Sequence, residues 1–376
     1  MNQPVRVLQV LGGTTLCGAE SRIMDLYRNM DKNKVQFDFV VHNQNEDYFN
    51  PEIRSLGGNI YRIPRFKFYN FIAYRKAWRE FFKEHQEFQA VHGHMTSTAA
   101  IYLPIAKKAG VPITIAHARS AGTDPGLKGK LTRFLRRNLS KKTDYCFACS
   151  KLAGKAVFGE SALHNGKVQI IPNAIEVEKY LYNKQVRKEI REQYKLTNDF
   201  VIGHVGRFHY AKNHEFLREI FAEVVKRQSD ARLLLVGEGE LMEPTREKAR
   251  QLGVLDKVVF AGSQGNVSAY FQAMDYMVFP SHFEGLPGTI VEAQAAGLRC
   301  LISDAITDEV MVTELVKARS IQDKASDWAE QILEEKDYVR SKDLTELQAH
   351  GFDVVQQVKD YEDFYVGKKS YVVRDR

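Results

Sequence analysis

Short apolar runs alternate with helix-patterned segments along nearly the whole chain, in two successive series. Residues 5–11, 37–41, 60–63, 90–92, 113–117, 145–148 and 168–171 read as strands, with helices fitting between most of them, among them 20–30, 74–85 and 98–109. A polar, charged stretch follows at 176–198, and then the scheme repeats with strands at 200–205, 232–236, 258–260, 277–279 and 300–302. Strands that alternate with helices build parallel sheets covered on both faces. The fold class expected is therefore α/β, with two doubly wound Rossmann-like domains facing a central cleft. The boundaries predicted are 1–175, a linker with one helix at 176–198, 199–350, and a final amphipathic segment at 351–376. At 376 residues both domains have enough chain for a full core.

Composition narrows the class further. With 44% hydrophobic and 27% charged residues the chain reads as globular throughout. It contains no run of about 18 apolar residues, and its N-terminus enters a strand directly, so neither a spanning helix nor a signal peptide is expected. Four cysteines, Cys17, Cys146, Cys149 and Cys300, are too few and scattered for a disulfide framework. Cys146 and Cys149 form a lone C-x-x-C inside an apparent strand and read as core. A reducing cytoplasm fits. The net charge of +7 calls for an anionic partner. Part of it is local: Lys128, Lys130, Arg133, Arg136, Arg137, Lys141 and Lys142 occur without an intervening acid. At helical spacing Leu131, Phe134, Leu135 and Leu139 share one face, and Arg133, Arg136, Arg137 and Lys141 the other. Such a helix either faces the core with a solvated back or lies on an anionic membrane; the missing acids favour the membrane.

The chemistry concentrates in 281–297, where Glu284 opens Glu-Gly-Leu-Pro and Glu292 opens Glu-Ala-Gln-Ala-Ala-Gly. Two glutamates at this spacing are common by chance. Here, however, they follow a buried-type strand ending at Pro280, which sets Glu284 beyond a strand's carboxyl end, where open α/β sheets bind ligands. The turn leads into a helix whose positive dipole end favours phosphate, and Glu292 falls one to two turns into it. Past the first strand of the second series, Gly206-Arg207 and Lys212-Asn213 offer two cations able to clamp a diphosphate. Gly237 and Gly239 make a second glycine turn. In the first series, Gly12-Gly13 and Cys17-Gly18-Ala19-Glu20 form a glycine loop that opens a helix. His94 and His117 each stand at a strand end. A lone histidine is usually structural, and His117 has the stronger claim to a site role.

The 281–297 string resembles the E-x7-E signature of the retaining family-4 glycosyltransferases, which take nucleotide sugars on the GT-B fold. The run from Gly18 through Tyr27-Arg28, His42 and Gly57-Gly58 to Pro64 is similar to the bacterial capsule and exopolysaccharide branch. The resemblance implies that Glu284 holds the donor's sugar hydroxyls and Glu292 its ribose hydroxyls. It also implies that Arg207 and Lys212 neutralise the leaving diphosphate and that His117 lies against the donor sugar near the reacting carbon. Gly18, Gly237, Gly285 and Leu286 are the further donor-binding positions it suggests, Asn173 marks a hinge strand, and the last helix packs back on the first domain. Cys17 replaces a glycine of the family's turn, and Arg299 stands where the family usually has proline. No Asp-x-Asp pair occurs, so no metal and no cofactor beyond a nucleotide-sugar donor, a UDP-sugar, is expected. The acceptor implied is a saccharide, polyprenyl-linked, at the inner face of the membrane. Two alternatives stand beside transfer: a silent nucleotide-sugar-binding subunit, and an epimerase on the same fold, whose first-domain acid/base carboxylates do not stand out. A nucleic-acid role lacks any recognised motif.

Overall fold

The computed structural model describes residues 3–120, 122 and 126–370, and at 126–128 the backbone alone. The side chain of Lys128, counted in the basic stretch, lies outside the described residues. The chain forms two compact units: residues up to Ala174 together with those from Asp353 onward, and Ile175–Phe352.

The first unit is built on seven strands: β1 (Val5–Leu11), β2 (Val35–Val41), β3 (Ile60–Arg62), β4 (Phe88–Gly93), β5 (Ile113–Ala118), β6 (Tyr145–Ala148) and β7 (Val168–Ile170). Their order is β3-β2-β1-β4-β5-β6-β7 and every neighbouring pair is parallel. β2 is buried at each position, as a strand covered on both faces must be. Its one charge, Asp38, is neutralised by a forked pair from Arg6 of β1 at 2.7 and 2.5 Å. The C-terminal helix Val354–Tyr365 supplies Val354, Val358, Tyr361, Phe364 and Tyr365 to the same core. Gln357 fixes that helix by donating to the Pro172 carbonyl at 2.9 Å.

Six strands form the second sheet: β8 (Phe200–Val205), β9 (Ala231–Val236), β10 (Val258–Gly262), β11 (Tyr276–Phe279), β12 (Cys300–Ser303) and β13 (Val316–Arg319). All pair in parallel, in the order β10-β9-β8-β11-β12-β13. β13 was not expected from the sequence. It reads Val-Lys-Ala-Arg with two exposed residues in the middle, as an edge strand does, and so carries no apolar run.

The polar stretch 176–198 is part of the second unit and not a separate linker. Its helix Lys184–Gln193 is fastened by Arg187, which pairs with Asp275 at 2.5 Å and donates to the carbonyls of Gln272 and Met274. Arg191 bonds the same carboxylate. The charge that suggested a solvated linker is used in tertiary ion pairs.

In both sheets the strand order reverses direction once, between β1 and β4 and between β8 and β11. Such reversals open a crevice at the carboxyl ends of the strands, which is where open α/β sheets take ligands.

Candidate active site

The loops after β8 and β11 meet at the second reversal. A backbone bond from His282 N–H to the Ala211 carbonyl, 2.8 Å long, ties them, and the rings of Tyr210 and His282 stack 4.5 Å apart. Asn213 takes the left-handed region (φ +52°) that asparagine tolerates, and its side chain accepts from the Phe216 N–H to cap the helix His214–Arg227. This places Lys212 immediately before a helix start. Its Nζ donates to Glu284 Oε1 at 2.5 Å and lies 4.6 Å from the Phe279 ring centre. The two side chains are only 18% and 16% exposed, so the pair is already largely stripped of water.

Arg207 stands apart from that pair. It is 66% exposed and reaches Glu240 at 3.4 Å, with His209 3.7 Å from the same carboxylate. Glu240 is thus a carboxylate at the site that the sequence did not single out. Gly285 and Leu286 are buried in the turn that enters the helix Gly288–Ala295, and Glu292 is buried on that helix. Gly237 has a structural requirement of its own. At φ +136° a Cβ would lie 2.2 Å from the Gly206 carbonyl oxygen, so the two glycine turns touch backbone to backbone. Arg299 donates to the Glu335 carbonyl at 2.6 Å and covers the Tyr338 ring, a packing role that accounts for it.

At the first reversal the structure gathers residues the sequence left scattered. The glycine loop after β1 leads into the helix Gly18–Asn29; Cys17 before it adopts φ −124°, ψ 164°, extended backbone open to any residue. The exchange of glycine for cysteine there therefore leaves the turn unbent. A Cβ on Gly18 would meet nothing within 4 Å. Burial pushes the Glu20 carboxyl up, with Asp47 adding to the shift, so a protonatable carboxyl exists in this unit after all. His92, His94 and His117 come together at the ends of β4 and β5, their nitrogens within 4.8 Å of one another. His92 Nε2 faces His117 Nδ1 at 2.9 Å, and His92 Nδ1 meets the Tyr365 hydroxyl at 2.7 Å. Arg119, which follows β5, donates from Nε to His94 Nδ1 at 3.3 Å and from Nη1 to Asn173 Oδ1 at 2.8 Å. Burial holds all three imidazoles well below the ordinary histidine range, with the Arg119 charge lowering them further. The Arg119 guanidinium beside the rings, and the bonds His92 makes from both nitrogens, weigh against a cation among them. His92, Arg119 and Tyr365 escaped the sequence. The one available signal was the doublet His92-x-His94, whose alternation puts both rings on one face of a strand.

Cys146 and Cys149 are buried core, as expected, and burial drives the Cys146 thiol up to about 12. The basic stretch folds as the helix Gly126–Arg136 followed by a turn at Leu139–Lys141. Its faces differ from the expected division: Arg136 turns inward to Thr96 at 3.1 Å, whereas Phe134 is 67% exposed. Phe134 lines a groove of about 620 Å³ together with Phe71, Ile101, Arg75, Lys108 and Arg137. Among the described residues no carboxylate lines it. Tyr69 and Ile72 beside it are 84% and 83% exposed.

Two family models match the chain, Glycosyltransferase Family 4 over residues 17–179 and Glycosyl transferases group 1 over 199–334. A putative glycosyltransferase of Bacillus subtilis, EpsF, is 38% identical over 333 residues, 87% of this chain and 86% of the relative. The chain belongs to the family-4 glycosyltransferases. A similar family member, the UDP-Gal:alpha-D-GlcNAc-diphosphoundecaprenol alpha-1,3-galactosyltransferase of Escherichia coli, is 25% identical over 75% of this chain and 76% of its own length. Among solved structures, Anabaena HepE in complex with UDP superposes with a TM-score of 0.80 at 15% identity, covering 98% of this chain and 100% of that one. The two parallel sheets and this likeness give the family-4 chain its α/β GT-B fold.

Proposed function

We propose that this glycosyltransferase moves a hexosyl or N-acetylhexosaminyl group from a UDP-sugar to a polyprenyl-linked saccharide, with retention of configuration and without a metal ion. The observation that carries the reading is the water-poor Lys212–Glu284 pair at the β8/β11 reversal. Without a ligand each group neutralises the other. When a donor binds, its diphosphate draws Lys212 away, and Glu284 is freed to accept hydrogen bonds from the sugar's hydroxyls. One ion pair replaces another, so little desolvation remains to be done at the reacting step. Arg207, leaving Glu240, brings a second cation, and the start of the helix Gly288–Ala295 adds its dipole. Charge that develops on the departing diphosphate then meets a fixed positive field, which lowers the barrier to breaking the C1–O bond. The acceptor oxygen attacks on the face the diphosphate leaves, and its proton passes to a phosphate oxygen. The names of the E. coli relative and the UDP complex of HepE support a UDP-sugar donor and a lipid-diphosphate acceptor. The cation-lined apolar groove and exposed Phe134 support work at an anionic membrane, at its cytoplasmic face.

Calorimetry with UDP-glucose, UDP-galactose, UDP-N-acetylglucosamine and GDP-mannose tests the donor site. One UDP-sugar is expected to bind, with affinity roughly 10- to 100-fold lower in Glu284→Ala, the loss of one or two charged hydrogen bonds. Failure of every nucleotide sugar to bind sinks the reading, and binding without donor hydrolysis or transfer favours the silent subunit. For the membrane part, the protein is expected to float with anionic but not zwitterionic phospholipid vesicles, and less so as salt rises.

A further inference from the structure

Three ties among the described residues cross between the loops after β8 and β11, and they run in step along the two segments. Tyr210 stands two positions before Lys212, and His282 two positions before Glu284. One tie is the Lys212–Glu284 ion pair at 2.5 Å. A second is the His282 N–H donating to the Ala211 carbonyl at 2.8 Å. The third is the stack of the Tyr210 and His282 rings, with 4.5 Å between their centres and 21° between their planes. The two segments differ in firmness. On the Tyr210 side a short turn has bonds of its own: the Lys212 N–H donates to the His209 carbonyl at 3.0 Å, the Asn213 N–H to the Tyr210 carbonyl at 3.1 Å, and the Ala211 N–H to His209 Nδ1 at 3.3 Å. Residues 280–287, on the other side, belong to no helix or strand. What crosses from the turn therefore counts in placing Glu284. The stack also differs in kind from the ion pair. Partial burial lowers His282 below the ordinary histidine range, so its ring is uncharged at neutral pH. Two uncharged rings in this geometry attract each other without competing for an anion.

Resting on the reading of the Lys212–Glu284 pair as the diphosphate site, we infer that Tyr210 and His282 are positioning residues: their stack holds the Glu284 loop to the Lys212 turn while the ion pair is open. In the free protein the ion pair and the stack fasten the same joint, so the loss of either leaves the other. Once a diphosphate draws Lys212 away, the stack and the backbone bond carry the joint alone. Glu284 is then released to bond to the ligand, yet it stays where its loop was set. The stack thus contributes more with ligand bound than without, and by linkage that difference appears as ligand affinity. A purely structural stack contributes equally in both states and leaves affinity untouched. Tyr210 is 63% exposed, so truncating it takes no side chain out of the core.

Calorimetry with UDP, which carries the diphosphate and no donor sugar, reads the difference. Tyr210→Ala is expected to weaken UDP binding about three- to tenfold, the loss of one aromatic pair. His282→Ala is expected to do the same. Tyr210→Phe and His282→Phe keep a stacked pair of rings and are expected to bind as wild type does. Glu284→Ala is the control, because its joint has no ion pair to give up. In that background Tyr210→Ala is expected to leave UDP affinity unchanged within about twofold. Thermal melts without ligand accompany each variant, and Tyr210→Ala is expected to shift the midpoint by less than about 2 °C. UDP affinity unchanged in Tyr210→Ala, or lowered equally with and without Glu284, overturns the inference. So does an effect confined to KM for the saccharide acceptor, which would make the exposed ring a surface for a sugar. Wild-type protein that binds no UDP fails the diphosphate reading itself and takes the clasp with it, whereas UDP binding that ignores Tyr210 fails the clasp alone.

Discussion

The two units reverse their strand order at the same place in the sheet, yet they furnish that place with opposite chemistry. At the β8/β11 reversal the side chains are charged, partly open to water and paired cation to carboxylate: Lys212 with Glu284, Arg207 with Glu240. At the β1/β4 reversal the groups are imidazoles with lowered pKa values, His92 and His117 buried and His94 half-buried, with the half-buried Arg119 donating to His94. A charged pair exchanges partners when a diphosphate arrives. The neutral network bonds chiefly within itself and leaves His117 Nε2 buried without a hydrogen-bond partner among the described residues. The fold therefore supplies two equivalent reversals, and what distinguishes them is their side chains, charged pairs at one and uncharged rings at the other.

The largest effect that would test this division is on the rate. Lys212→Ala removes a cation facing charge that grows in the transition state, so kcat is expected to fall ~10²- to 10³-fold. His117→Gln keeps an N–H donor near the same place and is expected to cost kcat roughly tenfold or less. Steady-state kinetics with the donor found by calorimetry compares them. If His117→Gln proved the more damaging, the first unit would hold the chemistry and the roles assigned to the two crevices would have to be exchanged.

Acid separates the units next. Burial lowers His42, His92, His94 and His117 in the first unit; in the second it holds His204 down to about 4 and His214 to about 2, and the more exposed His282 adds less. Above about pH 6.5 these groups are neutral in both folded and unfolded chains and contribute no pH dependence. As pH falls below that, the unfolded chain takes up protons that the folded one refuses. Stability then drops, by up to ~1.4 kcal/mol per pH unit for each such histidine. The chain has two tryptophans, Trp78 and Trp328, one in each unit and both buried. Denaturant melts of Trp328→Phe report the first unit through Trp78, and melts of Trp78→Phe report the second. Between pH 7 and 5.5 the first unit is expected to lose stability more steeply. Equal slopes, or a loss on raising the pH, would mean that the histidines of the first unit are hydrated in solution.

The same contrast explains what was legible in the sequence. Buried strands announce themselves as apolar runs, so twelve of the thirteen strands could be placed, and only β13, an edge strand with Lys317 and Ala318 exposed, was silent. The second crevice could be read because Glu284, Gly285, Leu286 and Glu292 lie in one continuous string, and a family signature is a local pattern. What the string did not tell is that Lys212, and not Arg207, holds Glu284, since Arg207 turns out to Glu240. The first crevice was illegible for a different reason. Its hydrogen bonds join Gln9 to His94, His117 to His92 and His92 to Tyr365, and the last alone spans 273 positions. No window of sequence contains it, and the pairing of β4 with β5, His92 opposite Ile115, has to be known before His117 falls beside it. The linker expected at 176–198 failed because a helix whose arginines serve buried carbonyls looks, in composition, like one whose arginines serve water.

The smallest effect concerns Cys17, at the start of the helix that the glycine loop opens. Cys17 is the N-cap of the helix Gly18–Asn29, its backbone is extended, and its side chain makes no capping bond. Sulfur is a weak acceptor, so the N–H groups of the first turn are left to other partners. Serine at this position completes the pattern Ser-x-x-Glu with Glu20, in which the hydroxyl takes an N–H and the glutamate reaches back to the cap's own N–H. Here only half of that exchange is open, because the Cys17 N–H already donates to the Thr15 carbonyl at 2.8 Å. Cys17→Ser is accordingly expected to stabilise the first unit by about 0.5 kcal/mol, the low end for a cap, seen as a higher denaturation midpoint in the Trp78 signal alone. The Trp328 signal should not move. A loss of stability would show that the thiol has a packing partner serine cannot replace, and that the glycine loop is held more firmly than its open surroundings suggest.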